Sequence, residues 1–163
     1  MLEDRIRRLE ANSQISNDIA ERLVALNQAD QMGRKCVIWF CFFHPRFAGE
    51  SGVGDLLRNW GGEALYNSHE ADESIGPVLR SIGTPCVVEA DIPIAYCKSQ
   101  HSLAENMGRR FCVNRGLQSV EPIDHEDRTT QPISRDKIKR IIIGGEPEFI
   151  AVTGCDEWDL PLT

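Results

Sequence analysis

Apolar positions recur at helical spacing from the first residues of the chain. Leu2, Ile6 and Leu9 form one stripe, and Ile15, Ile19, Leu23 and Leu26 form a second after the polar break Asn12-Ser13. The spacing predicts two amphipathic helices, or one kinked helix, with Ser16 as N-cap of the second and Gly33 closing the helical region. Residues 1–35 are therefore expected to be an N-terminal helical arm, packed on the remainder of the chain or used for dimerisation or partner binding. At Cys36 the pattern changes. Cys36-Val37-Ile38-Trp39-Phe40-Cys41-Phe42-Phe43 is apolar on both alternating faces, as in a strand covered on both sides and central in its sheet. Pro45 ends it, Gly49 to Gly54 reads as a flexible turn, and a short helix from Asp55 through Trp60 stops at Gly61-Gly62.

Ser74-Ile75-Gly76-Pro77 opens another short helix that Gly83 closes. In Cys86–Ile92 the residues Cys86, Val88, Ala90 and Ile92 share one face, while Glu89 and Asp91 lie on the other, which predicts a strand with one wet side. Ser102-Leu103-Ala104-Glu105 reads as a capping box for a helix striped by Leu103, Met107 and Phe111 and ending near Gly116. Pro122 to Pro132 is polar and reads as a surface loop. Ile138 to Ile143 is the last strand, stopped by Gly144-Gly145, and Pro147 starts a terminal helical turn bearing Phe149, Ile150 and Val152. Helices and strands interleave irregularly, without a repeat or a βαβ rhythm. This gives a single α+β domain over residues 36–163, with a mixed or antiparallel central sheet and flanking helices.

Charge adds a location to this outline. The chain of 163 residues has a net charge of −7. Residues 1–35 are neutral, residues 36–95 carry three basic and eight acidic groups, and residues 96–163 carry nine and eleven. The acidic excess belongs to the middle and repels phosphate backbones, so direct nucleic-acid binding is not expected. The basic groups Arg109-Arg110-Arg115 and Arg135-Lys137-Lys139-Arg140 read as solvated flanks of a helix and a strand. No apolar run approaches the roughly 18 residues of a membrane span, and the charged start Glu3-Asp4-Arg5 is unlike a signal peptide. A cytoplasmic protein that keeps away from membranes is expected, its six cysteines reduced and largely buried.

Candidate chemistry is sparse. Cys41-x-x-His44 and Cys97-x-x-x-His101 together hold the two Cys and two His of a closed zinc site. Cys41 lies inside an apolar strand, however, and neither pair sits on a short ligand-presenting loop, so no metal is expected. Gly49 to Gly54 lacks the Gly-Lys-Ser/Thr ending of a phosphate loop, and Ser51 is not in a Gly-x-Ser-x-Gly elbow. His125-Glu126 reads as exposed in the polar loop. The segment Arg58 to Glu70 is richest in polar and aromatic groups. There Trp60 and Tyr66 are candidates to line a pocket, Arg58 to clamp an anion, and Glu63 or Glu70 to act as a base. The competing reading makes both aromatics core residues and Gly61-Gly62 a helix stop.

The strand Cys36–Phe43, Trp60-Gly61-Gly62 with Glu63-Ala64-Leu65-Tyr66, the strand Cys86–Ile92 and the late Ile138–Gly144 occur in that order. Over about residues 36–145 this order resembles a broad group of uncharacterised bacterial proteins with a Cys-Phe strand, a Trp-x-x-Tyr-Gly-like turn and a late strand ending in Gly. Some members are linked to abortive infection and phage defence, and their fold is held to be similar to ADP-ribosyltransferases. The chain departs from the group in residues 1–35, which read as helix and hold no His, and in Tyr66, which no Gly follows.

Two functions are compatible with these features. The first is a non-enzymatic intracellular regulator or inhibitor in phage–host conflict, needing no cofactor. It binds a protein partner, such as one with a basic groove, through Glu50, Asp55, Glu63, Glu70, Asp72 and Glu73. A homo-oligomer through the N-terminal helices is compatible with it. The alternative, implied by the resemblance, is an NAD-dependent ADP-ribosyltransferase-like enzyme or a degenerate member of that family. In it Trp60 and Tyr66 stack a ring, Arg58 holds an anion, and Glu63 or Glu89 is the catalytic carboxylate.

Overall fold

A computed structural model describes residues 1–120, 123 and 126–162, excluding the side chains of residues 100–102. In chain order the elements are α1 (Leu2–Ala11), α2 (Asn17–Ala25), β1 (Ile38–Cys41), α3 (Gly49–Arg58), α4 (Glu63–His69), α5 (Gly76–Ser81), β2 (Cys86–Ala90), α6 (Gln100–Val113), β3 (Glu126–Thr129), β4 (Ile138–Ile143) and α7 (Pro147–Thr153). The fold is α+β, as expected, and its strand pairing is antiparallel. Sheet hydrogen bonding among the described residues is confined to two ribbons, β1 with β3 and β2 with β4.

Two hydrophobic clusters hold these elements. In the first, Ile6, Ile15, Ala20 and Leu23 from the arm meet Leu65 of α4 and Ile75 and Leu79 around α5. The stripes read from the sequence therefore point inward except at Leu26, the C-cap of α2, which is 58% exposed, and Ser16 caps α2 by accepting the Ile19 N–H at 3.3 Å. In the second, Ile142 of β4 packs with Phe149 and Val152 of α7, joined by Leu57, Val87, Cys155 and Leu162. No described helix is long and apolar enough to cross a membrane.

Four sequence expectations are corrected. The strand over 36–43 is not central: β1 is four residues long, pairs on one side only, and leaves Trp39 49% exposed. The turn at 49–54 is the first half of α3. Two of its glycines serve packing, because an added Cβ would stand 2.8 Å from Ala48 Cβ at Gly52 and 2.7 Å from the Arg58 guanidinium at Gly54. Within the polar stretch 122–132, residues Glu126–Thr129 form β3, burying Asp127 and Thr129 and exposing Glu126 and Arg128. The faces of β2 are reversed at its start, where Val87 enters the second cluster and Val88 is 51% exposed, and a register shift between Glu89 and Ala90 restores the expected pattern, with Glu89 exposed and Ala90 half-buried. In addition, α6 begins at Gln100 with Ser99 as N-cap, so Ser102 lies inside the helix.

Candidate functional site

Arg58, at the last position of α3, is buried, and its partners are internal. It pairs with Glu50 two turns earlier in the helix, approaches Asp55 at 3.4 Å, and donates to the carbonyl of Leu160 at 2.6 Å. Its guanidinium also sits 5.4 Å from the Trp158 ring. Glu50 completes the clamp by accepting the N–H groups of Asp159 at 2.8 Å and Leu160 at 3.1 Å. Burial acts to raise the Glu50 carboxyl, and these N–H groups with Arg58 outweigh it and hold the group below its ordinary value. A residue nominated as an anion clamp and one nominated for a partner thus fasten the C-terminal segment to α3.

Trp60 lies on the turn between α3 and α4. Its backbone N–H donates to the Leu79 carbonyl at 2.9 Å, and its ring packs against the first cluster. Gly61 and Gly62 both have positive φ, and a Cβ at Gly61 would stand 2.5 Å from Leu65 Cδ1. The pair is therefore a tight turn that seats α4 on the arm. Arg58 and Trp60 border a hollow of about 230 Å³ with Asn59 and Arg80, and Asn59 Oδ1 is buried without a hydrogen-bond partner among the described residues.

On α4, Glu63 pairs with Arg34 of the arm at 3.2 Å. Tyr66 stands one turn further along. Burial, with the charges of Glu63, Asp55 and Glu70, pushes its phenol up, so it is protonated at neutral pH. Neither residue borders the hollow beside Trp60. Asp72 is the hub of the turn into α5. It accepts the Ser74 hydroxyl at 2.6 Å and the N–H groups of Ser74 at 2.9 Å and Ile75 at 3.0 Å, and it pairs with Arg22 of α2. The Ser74 hydroxyl and these N–H groups, with Arg22, hold its carboxyl far below the ordinary range. Glu70 and Glu73 are exposed and make no ion pair among the described residues.

Glu89 lies elsewhere. On β2 it pairs with Arg140 of β4 at 2.7 Å, and Arg140 also pairs with Glu148 of α7. This Glu89–Arg140 pair borders a cleft of about 630 Å³ between the two ribbons, walled by Trp39–Pro45 and by Val87–Ala90. A second hollow of about 710 Å³ reaches β1 from another side and includes Trp39, Val53, Leu56 and Asp127. Arg128 stacks 5.0 Å from the Trp39 ring there. Cys41, His44 and Cys97 all line the 630 Å³ cleft, whereas the side chain of His101 is outside the described residues, as is His125. Burial pushes both the Cys41 and the Cys97 thiol up, which keeps them protonated at neutral pH. Among the described residues no three His, Cys, Asp or Glu side chains form a metal-holding group.

The structure thus brings Arg58 to Trp60 and Glu63 near Tyr66, while Glu89 belongs to the other ribbon. Sequence reasoning passed over Asp127, which accepts the Ser99 N–H at 2.9 Å and the Arg128 N–H at 2.7 Å. The signal was the alternation of Asp127 and Thr129 with Glu126 and Arg128, hidden because no residue in it is apolar. It also passed over Arg22 and Arg34, the cations that engage Asp72 and Glu63. Comparison of the chain with protein-family models, curated proteins and solved structures gives no match.

Proposed function

We propose that this chain is a non-enzymatic regulator or inhibitor that acts in the cytoplasm, in phage–host conflict, by binding a protein partner through the acidic surface of α4 and the turn after it. The observation that carries this reading is the division of labour among the acidic residues. Glu50 and Asp72 are spent on internal bonds, and Glu63 is paired with Arg34, whereas Glu70 and Glu73 stand exposed with no ion pair among the described residues. With Asp55, which is about half exposed although it also faces Arg58 at 3.4 Å, they leave a negative field to steer a basic partner. Of the groups the NAD-dependent reading uses, Arg58 holds the C-terminal segment, Glu89 is held by Arg140 on the other ribbon, and Glu63 is paired with Arg34. No cofactor is required.

The test is a pair of charge reversals, Glu70→Lys with Glu73→Lys. Lysine at Glu70, the C-cap of α4, suits the helix dipole, and Glu73 is exposed in the turn that follows, so neither reversal removes a side-chain bond seen among the described residues. Proteins captured from the native cells by the wild type are expected to bind at least about tenfold more weakly to the reversed variant, with a flatter dependence on salt. Equal binding and an equal salt slope would overturn the reading. So would NAD-dependent labelling of a target by the wild-type chain, which would establish the transferase.

A further inference from the structure

One face of the β1–β3 ribbon carries a group of each charge, and neither is used internally. The register sets Trp39 opposite Arg128 and Cys41 opposite Glu126. Directly opposed residues of an antiparallel pair share a face. Burial identifies this face as the open one, since Glu126 and Arg128 are exposed whereas Asp127 and Thr129 are buried. The Arg128 guanidinium lies over the Trp39 ring, 5.0 Å from its centroid. Neither it nor the Glu126 carboxylate makes an ion pair or a side-chain hydrogen bond among the described residues. Residues two apart on a strand stand about 6.6–6.8 Å apart, so the two charges are neighbours that are not bonded to each other.

Trp39, Cys41, Glu126 and Arg128 all border the hollow of about 710 Å³, together with Val53 and Leu56 of α3. Asp127 borders it too, but its carboxylate is committed to the N–H groups of Ser99 and Arg128. The volume falls within that of small-molecule sites, about 300–1,000 Å³, and the charges select the occupant. A simple anion drawn to Arg128 is repelled by Glu126, and a simple cation drawn to Glu126 is repelled by Arg128. A molecule bearing both charges is attracted by both. A guanidinium steadied on an aromatic ring keeps its N–H edge for a carboxylate. Trp39 and Leu56, each about half exposed, offer apolar surface in the same hollow. We propose that this hollow binds a free α-amino acid with a large apolar side chain, its carboxylate on Arg128, its ammonium on Glu126 and its side chain against Trp39 and Leu56. The site shares no residue with the acidic surface of α4 and does not rest on it.

Isothermal titration calorimetry of the full chain tests this with L-phenylalanine and three relatives that each lack one part. These are 3-phenylpropionate, without the ammonium, phenethylamine, without the carboxylate, and glycine, without the side chain. Phenylalanine is expected to bind at least about tenfold more tightly than each of them, since each forfeits a charged contact or the apolar burial. Arg128→Gln is expected to weaken phenylalanine at least about tenfold. Glu126→Gln is expected to weaken phenylalanine and to strengthen 3-phenylpropionate, from which it removes a repulsion. Both positions are exposed, and an unchanged circular dichroism spectrum checks the fold. The comparison of ligands is made on the wild type and decides even where a variant unfolds. Equal binding of phenylalanine and 3-phenylpropionate would mean that only an anion is held, and equal binding of phenylalanine and phenethylamine that only a cation is. Either result overturns the proposal, as does an absence of binding at millimolar phenylalanine or binding that both folded variants leave unchanged.

Discussion

At the scale of single residues, burial decides which polar groups are available for function. Arg58 looks like an anion clamp in the sequence because it is a cation next to Trp60, yet it is 8% exposed and spends its donors on Glu50 and the Leu160 carbonyl. Its planar fork suits that task, and Gly54 supplies the space. His69 is the other buried group with a consequence. It is 2% exposed, and its Nε2 has no partner among the described residues. Burial holds it below the ordinary histidine value of 6.5; Asp72 opposes this, and Arg22 adds to it. In the folded chain His69 stays neutral at a pH where the unfolded chain takes up the proton. Its contribution is therefore full above about pH 6.5 and is lost as pH falls through that value, by up to about 1.4 kcal/mol per pH unit, until the folded histidine itself protonates. Urea unfolding of the wild type and His69→Phe at pH 7.5, 6.0 and 5.0 measures this. The stability difference between them should narrow or reverse toward pH 5.0, and a constant difference would show that His69 does not titrate in this window.

At the scale of elements, legibility followed apolar pattern and failed where polar groups or glycines did the structural work. α1, α2, α5 and α7, with β2 and β4, were readable as elements because stripes, caps and apolar runs bounded by Gly or Pro mark them, although the alternation in β2 gave Val87 and Val88 the wrong faces. β3 was not readable. Its buried positions are Asp127 and Thr129, and a buried carboxylate carries no hydrophobic signal. What makes the burial tolerable is the set of backbone donors that converge on it. Burial acts to raise the Asp127 carboxyl, but the N–H groups of Arg128 and Ser99 outweigh that and hold it low. The same bonds tie β3 to the start of α6. Asp127→Ala removes a charged acceptor from partly buried donors at both, and should cost about 1–3 kcal/mol in chemical denaturation, while Asp127→Asn, which keeps an acceptor, should cost less. Equal losses in the two variants would mean that the charge, and not the acceptor geometry, holds the junction. The first half of α3 was missed for the opposite reason: three glycines in six residues favour a turn locally, and the Arg58 clamp supplies from outside the helix what propensity lacks. The candidate site suffered from the same blindness. Sequence placed Glu63, Tyr66 and Trp60 on one segment, but could not show that Arg34 engages Glu63 or that Arg140 engages Glu89, since those cations lie 29 and 51 residues away.

At the scale of the whole molecule, the arm and the strands serve different clusters, which fixes what each can do for binding. The apolar stripe of residues 1–35 is consumed internally, because Ile6, Ala20 and Leu23 are fully buried against Leu65, Ile75 and Leu79. Arg22 and Arg34 reinforce that contact through Asp72 and Glu63, placing ion pairs along the same seam. Removing residues 1–35 would therefore strip one wall from three fully buried side chains on and beside α4 and α5. Full exposure costs about 1.5–3 kcal/mol for each such side chain, so even partial exposure of all three approaches the net stability of a small domain, about 5–15 kcal/mol. The shortened chain 36–163 is accordingly expected to lose its cooperative unfolding transition or to bind an apolar dye such as ANS strongly. A shortened chain with a sharp transition and little dye binding would show instead that the arm is an appendage, free to leave the lobe and dimerise. The ribbons are built differently: several of their apolar residues outside the second cluster stay uncovered, with Val88, Ile141 and Ile143 all about half exposed. The arm's buried apolar residues thus go into the first cluster and leave these on the ribbons uncovered.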